Sequence, residues 1–113
     1  MDDIRPIEIT TENGEHFTLE FSRDSVRFAE QHGFSIEYLE KAPMSGMYDL
    51  FFYAFRMHHK NVPRDKTDAI LNGFDGLSNL PDGFIERLGK LYAKPFETLA
   101  DEDVKKVKAT IQM

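Results

Sequence analysis

Apolar and polar residues alternate with period two in two stretches near the start of the chain. Ile7 and Ile9 alternate with Glu8 and Thr10, and Phe17, Leu19 and Phe21 alternate with Thr18 and Glu20. That period marks strands with one buried face. Asn13-Gly14 marks the turn, and loop length sets the register. A two-residue Asn-Gly loop sets Ile9 opposite Thr18 and puts the apolar residues of the two strands on opposite faces. A three-residue loop, Glu12-Asn13-Gly14, sets Ile9 opposite Phe17 and Ile7 opposite Leu19. We take the second register, with Gly14 in the left-handed position of a bulged turn.

The period then changes to that of helices. Ser22 is a good N-cap, flanked by Phe21 and Val26 where a hydrophobic staple would join them, and Gly33 is a C-terminal stop. Ser35 caps a short helical turn over Ile36 to Lys41, and Pro43 opens the next helix at its first position. That helix, Met44 to His59, carries Met44, Met47, Tyr48, Phe51, Ala54, Phe55 and His58 on one face. Phe52 widens the stripe, while Tyr53 and Met57 fall on roughly the opposite side. A helix apolar nearly all round is central to a core or covered on its second face by something else. Phe52, Tyr53 and Met57 are therefore candidates for a partner or self-association surface; the alternative is that hairpin and neighbouring helices cover them.

Pro63 opens a further helix with Ala69 and Ile70 inward, ended by Asn72-Gly73, and Phe74 to Asn79 read as a loop. From Pro81, Phe84, Ile85, Leu88, Leu91 and Tyr92 form one clean helical face that Pro95 ends, with a short turn over Phe96 to Leu99. The tail has two readings. Val104, Val107 and Ile111 fit helical spacing after the acidic start Asp101-Glu102-Asp103, yet Val107, Ala109, Ile111 and Met113 alternate strictly. We take the strand, because a lone hairpin is marginal in water and a third strand would support it. The expected fold is mostly α, with five to six short helices and a small N-terminal β-hairpin, the C-terminal strand joining it: an α+β arrangement. It is one domain over 1–113, with the hairpin at 6–21, a helical core at 22–99 and the tail at 100–113.

Composition narrows the class. A chain of 113 residues that is 41% hydrophobic, with ten Phe and four Tyr, is too apolar for a disordered one and long enough for a core. It has no cysteine, so disulfides, thiolate metal sites and a Cys nucleophile are excluded. The start, Met1-Asp2-Asp3-Ile4, lacks the basic and apolar regions of a secretory signal, and no apolar run approaches the roughly 20 residues of a bilayer span. The expectation is a soluble cytoplasmic protein. Net charge is −6, with 20 acidic against 14 basic residues, which disfavours nucleic acid and anionic membrane surfaces. The one dense basic cluster, Lys105, Lys106 and Lys108, reads as a solvated tail.

Catalytic chemistry finds no foothold. His58 and His59 are adjacent on an expected helix, so their side chains diverge by about 100° and do not chelate one metal. His16 and His32 read as surface or capping residues. There is no GxSxG, the Gly73-to-Gly76 segment lacks the lysine and preceding strand of a phosphate loop, and Asp75, Asn79 and Asp82 do not match a calcium loop. We expect no enzyme, no catalytic residue, no metal and no cofactor.

Phe17-Thr-Leu-Glu-Phe21, Ser25-Val26 through Gly33-Phe34, Leu50-Phe51 with Ala54-Phe55 and His58-His59, and the Leu88 to Tyr92 helix followed by Pro95 and Leu99 together resemble a known family. They are similar to the tail assembly chaperones of long-tailed, siphovirus-type phages and prophages of Gram-positive bacteria, over residues 17–99. The resemblance implies a non-enzymatic role in the bacterial host cytoplasm. Such proteins bind the tape measure protein and help tail tube subunits polymerise around it. Weak homo-oligomers would suit repeated binding along a long partner. The competing expectation is a structural tail or connector component retained in the virion.

Overall fold

The computed structural model describes residues 4–73 and 83–111, with side chains through Glu97. The element order is β1 (Ile7–Thr10), β2 (His16–Leu19), α1 (Arg23–Gln31), α2 (Ile36–Lys41), α3 (Pro43–Ala54), α4 (Arg64–Asn72) and α5 (Phe84–Ile111). Among the described residues, five helices and a two-stranded antiparallel hairpin make the mostly helical α+β fold expected.

Local chemistry sets most of the boundaries. β1 and β2 pair with Ile7 opposite Leu19 and Ile9 opposite Phe17, the register of the three-residue loop. The Gly14 N–H donates to Thr11 O at 2.9 Å, with Gly14 at φ +83°, where a side chain would be strained. Ser22 and Ser25 form a reciprocal capping box: the Ser25 N–H donates to Ser22 Oγ at 3.1 Å and the Ser22 N–H to Ser25 Oγ at 2.8 Å. The Ser35 hydroxyl oxygen accepts the Tyr38 N–H at the start of α2, and Pro43 opens α3 as its first residue. Phe17, Leu19 and Phe21 of the hairpin meet Val26 and Ala29 of α1, Leu50, Phe51 and Ala54 of α3, Leu71 of α4, and Phe84, Leu88, Leu91 and Tyr92 of α5 in one apolar cluster.

α2 lies against the start of α3, and Gly46 makes that approach possible. A Cβ there would stand 2.7 Å from the Leu39 Cα, so α2 itself would have to move. Gly46→Ala gains up to about 1 kcal/mol of helix propensity. The backbone clash costs about 1–3 kcal/mol, so the net effect is destabilising. The melting temperature of Gly46→Ala should fall by several degrees; an unchanged or higher value would mean that α2 is free to shift.

Five expectations are corrected. α3 ends at Ala54, not His59. Its last turn tightens, with the Phe55 N–H donating to Phe52 O and the Arg56 N–H to Tyr53 O, both at 3.1 Å. The Ala54 carbonyl is thereby left for another donor. Met44 is 59% exposed, because α3's first turn projects beyond the core. On α4 the buried positions are Thr67 and Leu71, one turn apart, while Ala69 faces out. The tail is helix rather than strand, and Pro95 lies inside α5 instead of ending it.

An interior proline costs about 3 kcal/mol in lost hydrogen bonding and ring crowding. Here Leu91 and Tyr92 before it are buried, Pro95 itself is buried, and the Tyr92 and Phe96 rings pack at 5.5 Å on either side of it. The expected loop over 74–79, the helix start at Pro81 and the end of the tail at Met113 lie outside the described residues.

Candidate partner-binding surface

The hairpin is fastened to the turn after α3 by backbone donors on the outer edge of β2. The Glu20 N–H donates to Ala54 O at 3.0 Å, the carbonyl left over at the end of α3. The Thr18 N–H donates to His59 Nε2 at 2.9 Å. Outside the edge, the His58 ring meets the Glu20 carboxylate at 2.8 Å and the His16 ring meets Glu8 at 2.7 Å. His58 and His59 do point apart, one to a carboxylate and the other to a backbone amide.

The His59 ring must be neutral at Nε2 to accept from Thr18. Burial, then the neighbouring His58, holds its pKa below the ordinary value of 6.5. The unfolded chain therefore takes up a proton on His59 more readily than the folded one. This contribution to stability is complete above pH 6.5 and is lost as pH falls below 6.5 toward the lower folded value. His59→Gln keeps an acceptor near the Nε2 position without titrating. The urea midpoint of the unaltered protein should fall more between pH 6.5 and 5 than that of His59→Gln. Parallel pH profiles would show that the Thr18 bond does not depend on this proton.

The three residues expected to form a partner surface are distributed differently. Tyr53 is only 7% exposed and belongs to the core, a correction to its expected place. α1 and the α1–α2 turn cover the second side of α3: Phe28 and Phe34 approach the Tyr53 ring at 6.0 and 5.9 Å. Burial, then Asp49, pushes the Tyr53 phenol pKa up. Phe52 is half-buried beside Tyr53 at 5.2 Å, with the Arg64 guanidinium 5.3 Å over its ring. Arg64 is itself fixed between Asp49 and Asp68; burial opposes its charge, but these two carboxylates outweigh it and raise its pKa. Met57, in the turn after α3, is 39% exposed.

Met44 and Met57 thus bracket α3 as exposed apolar side chains, at opposite ends of a helix about 18 Å long. Ile36 and Phe96 are the other large apolar residues exposed among those described. A groove of about 420 Å³ also lies between the hairpin turn and α4, with Ile9, Thr10, Glu12, Lys66, Ala69 and Ile70 among its walls. Sequence reasoning did not find this groove. Its one signal was indirect: Ala69 is an apolar residue on the exposed face of α4, beside half-buried Ile70.

Among the described residues, no three His, Asp or Glu side chains converge as a metal group. No buried side-chain nitrogen or oxygen among them lacks a hydrogen-bond partner. No helix among them is long and apolar enough to cross a membrane. What the surface offers chemically is flexible thioethers, an apolar groove and backbone edges.

A protein-family model described as Domain of unknown function (DUF5055) matches residues 1–113. No curated protein and no solved structure matches.

Proposed function

Because the chain belongs to the DUF5055 family, whose description leaves the role open, we propose that role from the residues: a non-catalytic, protein-binding tail assembly chaperone. It holds the tape measure protein of a long-tailed phage or prophage in the host cytoplasm and delivers it to tail tube subunits. The observation that carries this reading is the exposure of Met44 and Met57 at the two ends of α3. Unbranched thioethers adapt to irregular apolar surfaces, which suits a chain that must hold many turns of an amphipathic helix without strict register. The likeness of residues 17–99 to such chaperones supports the same reading.

Co-expression with the tape measure protein and a pull-down tests it. The unaltered chain should bring down the tape measure protein and raise its soluble yield. Met44→Ser with Met57→Ser should reduce capture several-fold while stability stays within about 0.5 kcal/mol, as for other exposed positions. No association, with the tape measure protein equally soluble alone, would end the chaperone reading. Mass spectrometry of purified particles separates the other role, since a chaperone is absent from virions and a structural component is abundant there.

A further inference from the structure

Among the described residues, one side of the hairpin is closed and the other is open. Among them the sheet consists of β1 and β2 alone, and the outer edge of β2 is taken by Ala54 and His59. The direction of the groups on β1 follows from the same bonds. Residues directly opposite in an antiparallel pair either exchange both backbone bonds or turn both sets outward. Thr18 sends its N–H away from β1 to His59 and sits opposite Glu8, so the Glu8 N–H and C=O point away from β2. Thr10, two residues on, points the same way. Among the described residues no backbone bond reaches the N–H or C=O of Glu8 or Thr10. Pro6 occupies the same outward side and has no N–H, so the open edge holds two donors.

The two faces of this edge differ in chemistry. Ile9 lies on the face of the groove, whose apolar wall continues through Ala69 and Ile70 of α4. Glu8 and Thr10 stand exposed on the other face. Glu8 meets His16 and Thr18 and no lysine or arginine, and the exposed Glu12 at the turn has no cationic partner among the described residues. Glu15 is satisfied by Lys66 at 2.6 Å.

We propose that the open edge of β1 binds an extended polypeptide segment in which apolar residues alternate with lysine or arginine. The segment adds as a third strand. Its backbone pairs with Glu8 and Thr10, one set of side chains enters the groove beside Ile9 and Ile70, the other set faces Glu8, and a basic residue at the end of the groove meets Glu12. This is strand addition, in which main-chain bonds supply affinity and alternate side chains supply selectivity. A second copy of β1 is a poor occupant, because Ile7-Glu8-Ile9-Thr10 carries an acid where the edge calls for a base. With two donors and a proline at one end, the ladder is short and the complex exchanges readily. The proposal does not depend on the chaperone role, since that partner is held as a helix.

The test uses the isotope-labelled full chain and a capped octapeptide of alternating valine and lysine. The Glu8 and Thr10 amides should exchange rapidly in the free protein and become protected as peptide is added, with affinity falling as salt rises. The same peptide N-methylated on its edge-facing residues should bind about tenfold or more weakly, having lost both main-chain donors to β1. Thr10→Pro should weaken the unmodified peptide comparably while the Phe17 and Leu19 amides stay protected, since an outward edge position tolerates proline. Equal binding of the N-methylated peptide, or shifts confined to Met57 and α5, would overturn the proposal. So would protection of Glu8 and Thr10 that rises with protein concentration alone, which would mean that a second copy fills the edge. None of these outcomes bears on the pull-down with the tape measure protein.

Discussion

Phe51→Ala should remove about 3–5 kcal/mol of stability. Phe51 is essentially buried, with its ring 5.1 Å from Phe55 on the same helix and 6.0 Å from Phe84 on α5. It is the ring that ties the central helix to the C-terminal one. Truncation leaves a cavity walled by aromatic rings that cannot collapse without moving α5. Domains of this size are stable by about 5–15 kcal/mol in total. The variant should therefore lose about a fifth or more of its stability and unfold at a far lower urea concentration, with the slope of the transition unchanged. A loss below about 1 kcal/mol would mean that α5 does not depend on this contact.

Tyr53→Ser should cost nearly as much, about 3 kcal/mol or more, because it removes a ring packed by Phe28, Phe34 and Phe52. Met57→Ser, four residues on, should change stability by about 0.5 kcal/mol or less. The contrast separates the two residues that sequence periodicity had placed together on the second side of the helix. Tyr53→Phe keeps the ring and should recover most of the loss. Chemical denaturation of the three variants suffices as the measurement; equal stability of Tyr53→Ser and Met57→Ser would place Tyr53 back on the surface.

The hairpin register was legible because its alternatives differ in kind: one buries four apolar residues together and the other splits them. Ser22, Gly33, Ser35 and Pro43 were legible because each acts on its own turn of chain. The end of α3 was not. Nothing between Ala54 and His59 breaks a helix; the chain turns there because Glu20 and Thr18 take Ala54 O and His59 Nε2 as acceptors, 34 and 41 residues away in sequence. Pro95 misled for the converse reason, since a strong local rule gave way to the burial of Leu91, Tyr92 and Pro95 around it.

For the candidate surface, the apolar character of Phe52, Tyr53 and Met57 was readable, but not their sorting. Phe28 and Phe34 cover one of them from elements whose approach periodicity does not encode. The groove depends on a hairpin meeting α4 through Glu15 and Lys66, a pairing 51 residues apart that no local pattern announces.

The segment leading into β1 is held from the far side of the chain. The Lys94 ammonium donates to Ile4 O at 3.1 Å and the Arg87 guanidinium to Arg5 O at 3.2 Å, 90 and 82 residues apart. The hairpin can fold its own turn within microseconds, since that closure is local. Fastening the segment before β1 is a different event, with a high loop-closure cost that is met only when α5 is in place. A polypeptide still emerging from the ribosome can thus leave the segment before β1 unfastened until Lys94 has been made, so chain growth itself times that attachment.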